Sequence, residues 1–320
     1  MSSLLGLAVR FSRPVPHIFR PTVFFSSTAR LFNKSLMMRN LVQEMLKDKG
    51  LPIINTTSSF FTREDVEALK VSFQPVTSSS LIISPDDVSN DFPEQYVQPD
   101  INQEKLDIQN FDIRKFDGIY DNDVRTFILK LHWVVKNATV ITGTNETYTD
   151  TLVDDLLRIV GLNTFPLVIR NHQVCRLFIG GYPYMFANPE YSIKMIDTSM
   201  IAVEDKHLEN ISFLKGFGEW QIVAEILAFG DENMRRVQAR DQTVYVVRII
   251  SKYVTFYKAM IPAPYFAELG DGLPQKESVV ILRWPGESMP EAGLNIAEPD
   301  GRREVLEVLT RIRQHLLNGN

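Results

Sequence analysis

Three side chains in the second half of the chain have types and spacing suited to phosphoester chemistry. Glu190 follows Pro189; Glu204 stands fourteen positions later, and Lys206 two positions after that. The segments Tyr191–Ile196 and Met200–Glu204 predict a β-hairpin turning through Asp197, Thr198 and Ser199. Antiparallel pairing brings the start of one strand beside the end of the next, so Glu190 and Glu204 are expected to meet. Glu204 and Lys206 are two apart, hence on one face of their strand. Hard Mg²⁺ takes one or two carboxylates together with waters and phosphate oxygens. A nearby lysine can orient a water or offset developing negative charge. This trio therefore predicts a metal-dependent hydrolytic site for phosphodiesters.

Each residue also has a plainer reading. Taken alone, Glu204 and Lys206 read more often as an exposed ion pair at a strand end, and Glu190 as a solvated loop acid. Gln221 and Glu225, four apart on a helix, read as surface groups. Asp197 is a rival metal ligand but falls in the expected turn. His172 and His207 have no partner histidine at metal-ligand spacing, and His207 reads as a solvated loop residue. Cys175, the single cysteine, excludes an intrachain disulfide and a cysteine-rich zinc site, and is expected to be a small core residue. No phosphate-binding glycine motif of the nucleotide-binding folds is present.

The elements that must hold these residues follow from periodicity. A helix over about 145–160 begins at Asn145-Glu146-Thr147 and stops at Gly161. Strands are expected over 165–170 and 174–180, then the hairpin, then a helix over about 219–229. Strands over 243–250, 254–261 and 279–284 and a helix over about 302–317 complete the series. The expected fold class is mixed α/β (α+β): a central mixed β-sheet flanked by helices.

The order of these motifs resembles the PD-(D/E)XK nuclease superfamily over roughly residues 140–315. Glu146 matches that family's first-helix acid, Pro189-Glu190 its Pro-Asp, and Glu204-Asp205-Lys206 its Glu-x-Lys. Gln221 matches the glutamine of the following helix. The resemblance implies a restriction-endonuclease-like core and nucleic acid as partner. It implies Mg²⁺, with Mn²⁺ as the alternative, held by Glu146, Glu190 and Glu204. Glu190, Glu204, Lys206 and Gln221 would form the catalytic set. Glu190 departs from the family's Asp. One extra methylene moves the carboxylate by about 1.5 Å, and Mg²⁺ tolerates little distortion. The alternative implied is a decayed nuclease fold that binds nucleic acid or protein without cleaving.

Composition bounds these readings. The chain has 320 residues, 44% hydrophobic and 23% charged, with a net charge of −5. That balance predicts a sizeable core and argues against a general nucleic-acid coat protein. No apolar run reaches the 18 residues of a membrane-spanning helix. Met1 to Gln43 lack Asp and Glu but carry Arg10, Arg13, Arg20, Arg30, Lys34 and Arg39. This composition predicts a mitochondrial matrix transit peptide over 1–32, with processing near Phe32. Loss of its four arginines takes the net charge from −5 to −9. Residues 33–139 are expected to be a partly disordered linker with accessory helices, including helices over 35–49 and 114–136. The polar segment from Val76 to Asp112 reads as loop, and 140–320 as the nuclease-like α/β domain.

Overall fold

A computed structural model describes residues 26–85, 91–138, 145–195, 198–206, 213–236 and 240–318 of the chain. The side chains of 26–35, 198–206 and 213–215 lie outside that description. Two units separate, Met1–Met37 and Met38–Asn320, and the sheet and its helices belong to the second.

In chain order the helices and strands are α1 (Ser26–Asp48), α2 (Arg63–Ala68), β1 (Val71–Pro75), α3 (Gln103–Leu106), α4 (Asn122–Asn137) and α5 (Thr147–Ile159). Then come β2 (Leu167–Asn171), β3 (Cys175–Ile179), β4 (Tyr182–Ala187), β5 (Tyr191–Met195), β6 (Thr198–Lys206) and α6 (Glu219–Arg236). β7 (Gln242–Ile250), β8 (Tyr253–Ile261), α7 (Ala263–Asp271), β9 (Val279–Trp284), β10 (Leu294–Asn295) and α8 (Pro299–Asn318) complete the order.

The fold is mixed α/β, with a central mixed sheet flanked by helices. Its strand order is β1-β9-β8-β7-β6-β5-β2, with β10 against β8, and β3-β4 form a separate hairpin. β5 runs antiparallel to β2 and β6, whereas β6 and β7 are parallel. Parallel neighbours need a crossover, which α6 supplies.

Strand β7 shows how the two layers form. Tyr245, Val247 and Ile249 pack with α4, α5 and α8 in one cluster. Val244 and Val246 pack with α6 and α7 in the other. The period of two sends alternate side chains to opposite faces, and both faces are covered.

Local signals set most boundaries. Thr62 and Asp65 form a reciprocal capping box at α2. Gly161 adopts φ +76° just beyond α5, as a left-handed stop requires. α4 begins later than periodicity predicts. Gly118 takes φ +89°, and the Asp121 carboxylate accepts from the Asp123 and Val124 amides. That cap starts the helix at Asn122, leaving Phe116 and Ile119 in the preceding turn. β1, α3, β4, α7 and β10 were not expected.

The stretch from Val76 to Asp112 has only short helical turns among its described residues, as its composition suggests. Yet Val76, Ile82, Ile83, Val97, Ile101 and Leu106 are all buried in the same cluster as α4, α5 and α8. This loop is packed rather than extended.

Candidate functional site

β5 and β6 carry the residues singled out above. Tyr191 pairs with Val203 and Ser192 with Ala202. Continuing that register by one position sets Glu190 opposite Glu204, at the end of the hairpin remote from its turn. β6 continues beyond this point along β7, with Glu204 in register with Arg248 and Lys206 with Ile250. The backbone thus brings Glu190 and Glu204 to neighbouring positions. The side chains of Glu204 and Lys206 lie outside the described residues, as do Asp197 and His207 altogether.

Glu190 is not a freely solvated acid. Its carbonyl accepts from the His172 amide at 3.0 Å. Its Oε2 stands 3.1 Å from His172 Nδ1, with the Glu190 side chain 29% exposed. His172 has φ +50°, a left-handed conformation that turns the chain at the end of β2. Nothing in the spacing of residues 172 and 190 announces this contact, which arises because β2 and β5 are neighbours.

Glu146 precedes the first residue of α5 and is exposed. One turn further, the Asp150 carbonyl accepts from the Tyr191 hydroxyl at 2.7 Å, which ties the start of α5 to the start of β5. Gln221 lies in the first turn of α6. Its Nε2 donates to Glu225 Oε1 at 2.9 Å, and Glu225 is fully buried. The pair is therefore half-buried through Glu225, not the fully exposed surface pair that its spacing also allowed.

A buried ionic network holds the start of α6, and sequence inspection did not find it. Glu219, 5% exposed, accepts from Arg283 Nη1 at 2.9 Å to each oxygen and from the Tyr257 hydroxyl at 2.9 Å. Arg248 Nη1 approaches Glu219 to 3.9 Å. Arg248 also donates to the carbonyls of Phe217 and Ser288 at 2.9 and 3.1 Å. A carboxylate at a helix N-terminus is favoured by the exposed N–H groups there. Burial, with Glu219 adding to it, pushes the Tyr257 phenol well above its ordinary range, so it stays a donor. The available signal was an arginine within an otherwise apolar strand, Val244 to Ile250.

Cys175 is buried, as expected, and burial raises its thiol so that it stays protonated. Among the described residues, no cluster of three or more His, Cys, Asp or Glu side chains is arranged to hold a metal. No helix among them is long and apolar enough to cross a membrane. No family model matches the chain, and no curated protein matches it.

Proposed function

We propose that the chain is a Mg²⁺-dependent phosphodiesterase acting on nucleic acid through a PD-(D/E)XK-like site. The observation that carries this reading is the register Tyr191 to Val203, which brings Pro189-Glu190 level with Glu204 on a hairpin that leads into α6. Helix, hairpin, crossover helix and parallel strand follow in the order that such a site needs. Glu190 and Glu204 would supply hard oxygen donors, the set that suits Mg²⁺ or Mn²⁺, with Glu146 at the start of α5 as the third. When bound, the cation would supply charge stabilisation at the phosphoryl group. Lys206 would hold the attacking water and offset developing negative charge. Gln221 would orient the strand or the water from the first turn of α6. The acid-free N-terminal segment supports a mitochondrial matrix address for this activity.

One observation favours the second reading, a binding module with a decayed site. Glu190, already a methylene longer than Asp, spends its carboxylate on His172.

Cleavage of single- and double-stranded DNA and RNA by the chain from Asn33 onward, with and without Mg²⁺, separates the two. Glu204→Ala should lose both metal affinity and cleavage. Lys206→Ala should keep metal binding and cleave about 10²–10³-fold more slowly. Glu190→Asp should raise turnover. A folded wild type and a folded Glu190→Asp protein that are both inert on every substrate would end the enzymatic reading.

A further inference from the structure

At the other end of β5 from Glu190 lies a cavity of about 400 Å³, bounded by β2, β3, β5 and the last turns of α6. Arg170, Arg176, Lys194, Arg235 and Arg236 line it, together with Glu232. Arg235 and Arg236 are accounted for by the C-terminus of α6, where cations are favoured. Lys194, Arg170 and Arg176 come from three different strands, away from any helix C-terminus, with the Arg176 guanidinium 5.7 Å over the Phe186 ring.

Lys194 separates this cavity from a merely solvated basic surface. It is 4% exposed, and a buried ammonium is costly without compensating negative charge. Glu232 Oε1 is 3.7 Å from Lys194 Nζ but 2.8 Å from Arg236 Nη2, so two cations share one carboxylate. Asp231 is engaged by Arg235 and by the Phe178 amide, and the Arg235 guanidinium lies 3.9 Å over the Phe178 ring. Five cations thus line the cavity against one lining carboxylate. Burial pulls the Lys194 ammonium below its ordinary range, with Glu232 opposing that pull.

We propose that this cavity seats a backbone phosphate of a nucleic-acid strand, in line with the Glu190–Glu204 end of the hairpin; the inference rests on the phosphodiesterase reading above. Guanidinium forks match phosphate oxygens, and a buried ammonium gains most from an anion brought within reach. Lys194 is four residues along β5 from Glu190, about 13 Å at the strand rise. That span corresponds to about four stacked nucleotides at 3.4 Å each. A strand engaged at both points would be fixed in register across the sheet.

The test is anisotropy of a fluorescein-labelled single-stranded oligonucleotide of about twelve nucleotides, within the range of single-strand site sizes. It is measured in EDTA with the full chain. Arg170 and Arg176 are exposed, so Arg170→Gln/Arg176→Gln keeps the fold, and Lys194→Met is the second variant. The double variant should bind about tenfold more weakly or worse, a loss of 1.4 kcal/mol or more. Its plot of log affinity against log salt should flatten by about 0.7 per lost phosphate contact. Inorganic phosphate and anionic phospholipid vesicles are the comparison probes. Vesicle or phosphate binding that depends on these residues, with oligonucleotide affinity unchanged, would overturn the proposal. Wild-type affinity and slope in the double variant, or no oligonucleotide binding by the wild type, would overturn it too. Cavity-dependent binding by a chain that cleaves nothing would support it and remove the phosphodiesterase reading alone.

Discussion

Arg283 reaches both oxygens of Glu219 at 2.9 Å inside the protein, locking the first residue of α6 to β9. Breaking a buried pair leaves an uncompensated charge and costs about 3–5 kcal/mol. Arg283→Met and Glu219→Gln should each lower the denaturant midpoint on that scale. The double variant should lose clearly less than the two single losses added together, because the second change removes the orphaned charge. Strictly additive losses would mean that the pair does not act as a unit.

Arg302 plays the matching role on the other face of the sheet. Its guanidinium is fully buried and donates to the carbonyls of Val97, Gln98, Ile101, Ile296 and Ala297. Burial brings it down to about 10, still charged at neutral pH. Arg302→Met strands those carbonyls and should cost about 3–5 kcal/mol. Limited proteolysis of the variant should show new cuts near Val97 to Leu106, a stretch whose buried Val97, Ile101 and Leu106 should protect it in the wild type. Equal protection in both proteins would refute this account of the loop.

His172 holds the Glu190 carboxylate from a position 64% exposed, so their pairing is weak, about 1 kcal/mol or less. If Glu190 is a metal ligand, His172→Ala should release it and tighten apparent Mg²⁺ affinity by up to about fivefold, the equivalent of that energy. Isothermal titration with Mg²⁺ measures this. A weaker affinity in the variant would show that His172 assists the site instead.

The basic N-terminal segment makes a separate prediction. Met1 to Lys34 fused to a fluorescent reporter should direct it to mitochondria, with a processed product starting near Asn33. A diffuse cytosolic signal would end that reading.

Much of the fold was legible because its elements have one strong period. α5 and α8 show the helical spacing, and β7, β8 and β9 fall within two residues of the expected bounds. β4 escaped notice because Pro183 interrupts its short run and its burial does not alternate, Tyr184, Met185 and Ala187 being buried while Tyr182 is exposed. The stretch from Val76 to Asp112 looked like an open linker because its apolar residues follow no period. They are buried one at a time, on short turns, against helices that come later in the chain.

The same division holds at the candidate site. Sequence alone determined that a hairpin brings Glu190 near the end of its partner strand, but not the register. Thr198 and Ser199, expected in the turn, are paired in β6 with Met195 and Lys194, and a register shift between Ile193 and Lys194 sets Tyr191 against Val203. Sequence also determined that Gln221 stands near the start of a helix, since periodicity and the preceding Gly216 and Gly218 mark that boundary. Only the tertiary structure decided that His172 engages Glu190 and that Arg283 and Tyr257 clasp Glu219. It alone placed Lys194, Arg170 and Arg176 around one cavity. Those contacts join residues on different strands and helices, whose proximity is set by sheet order and burial rather than by any local spacing.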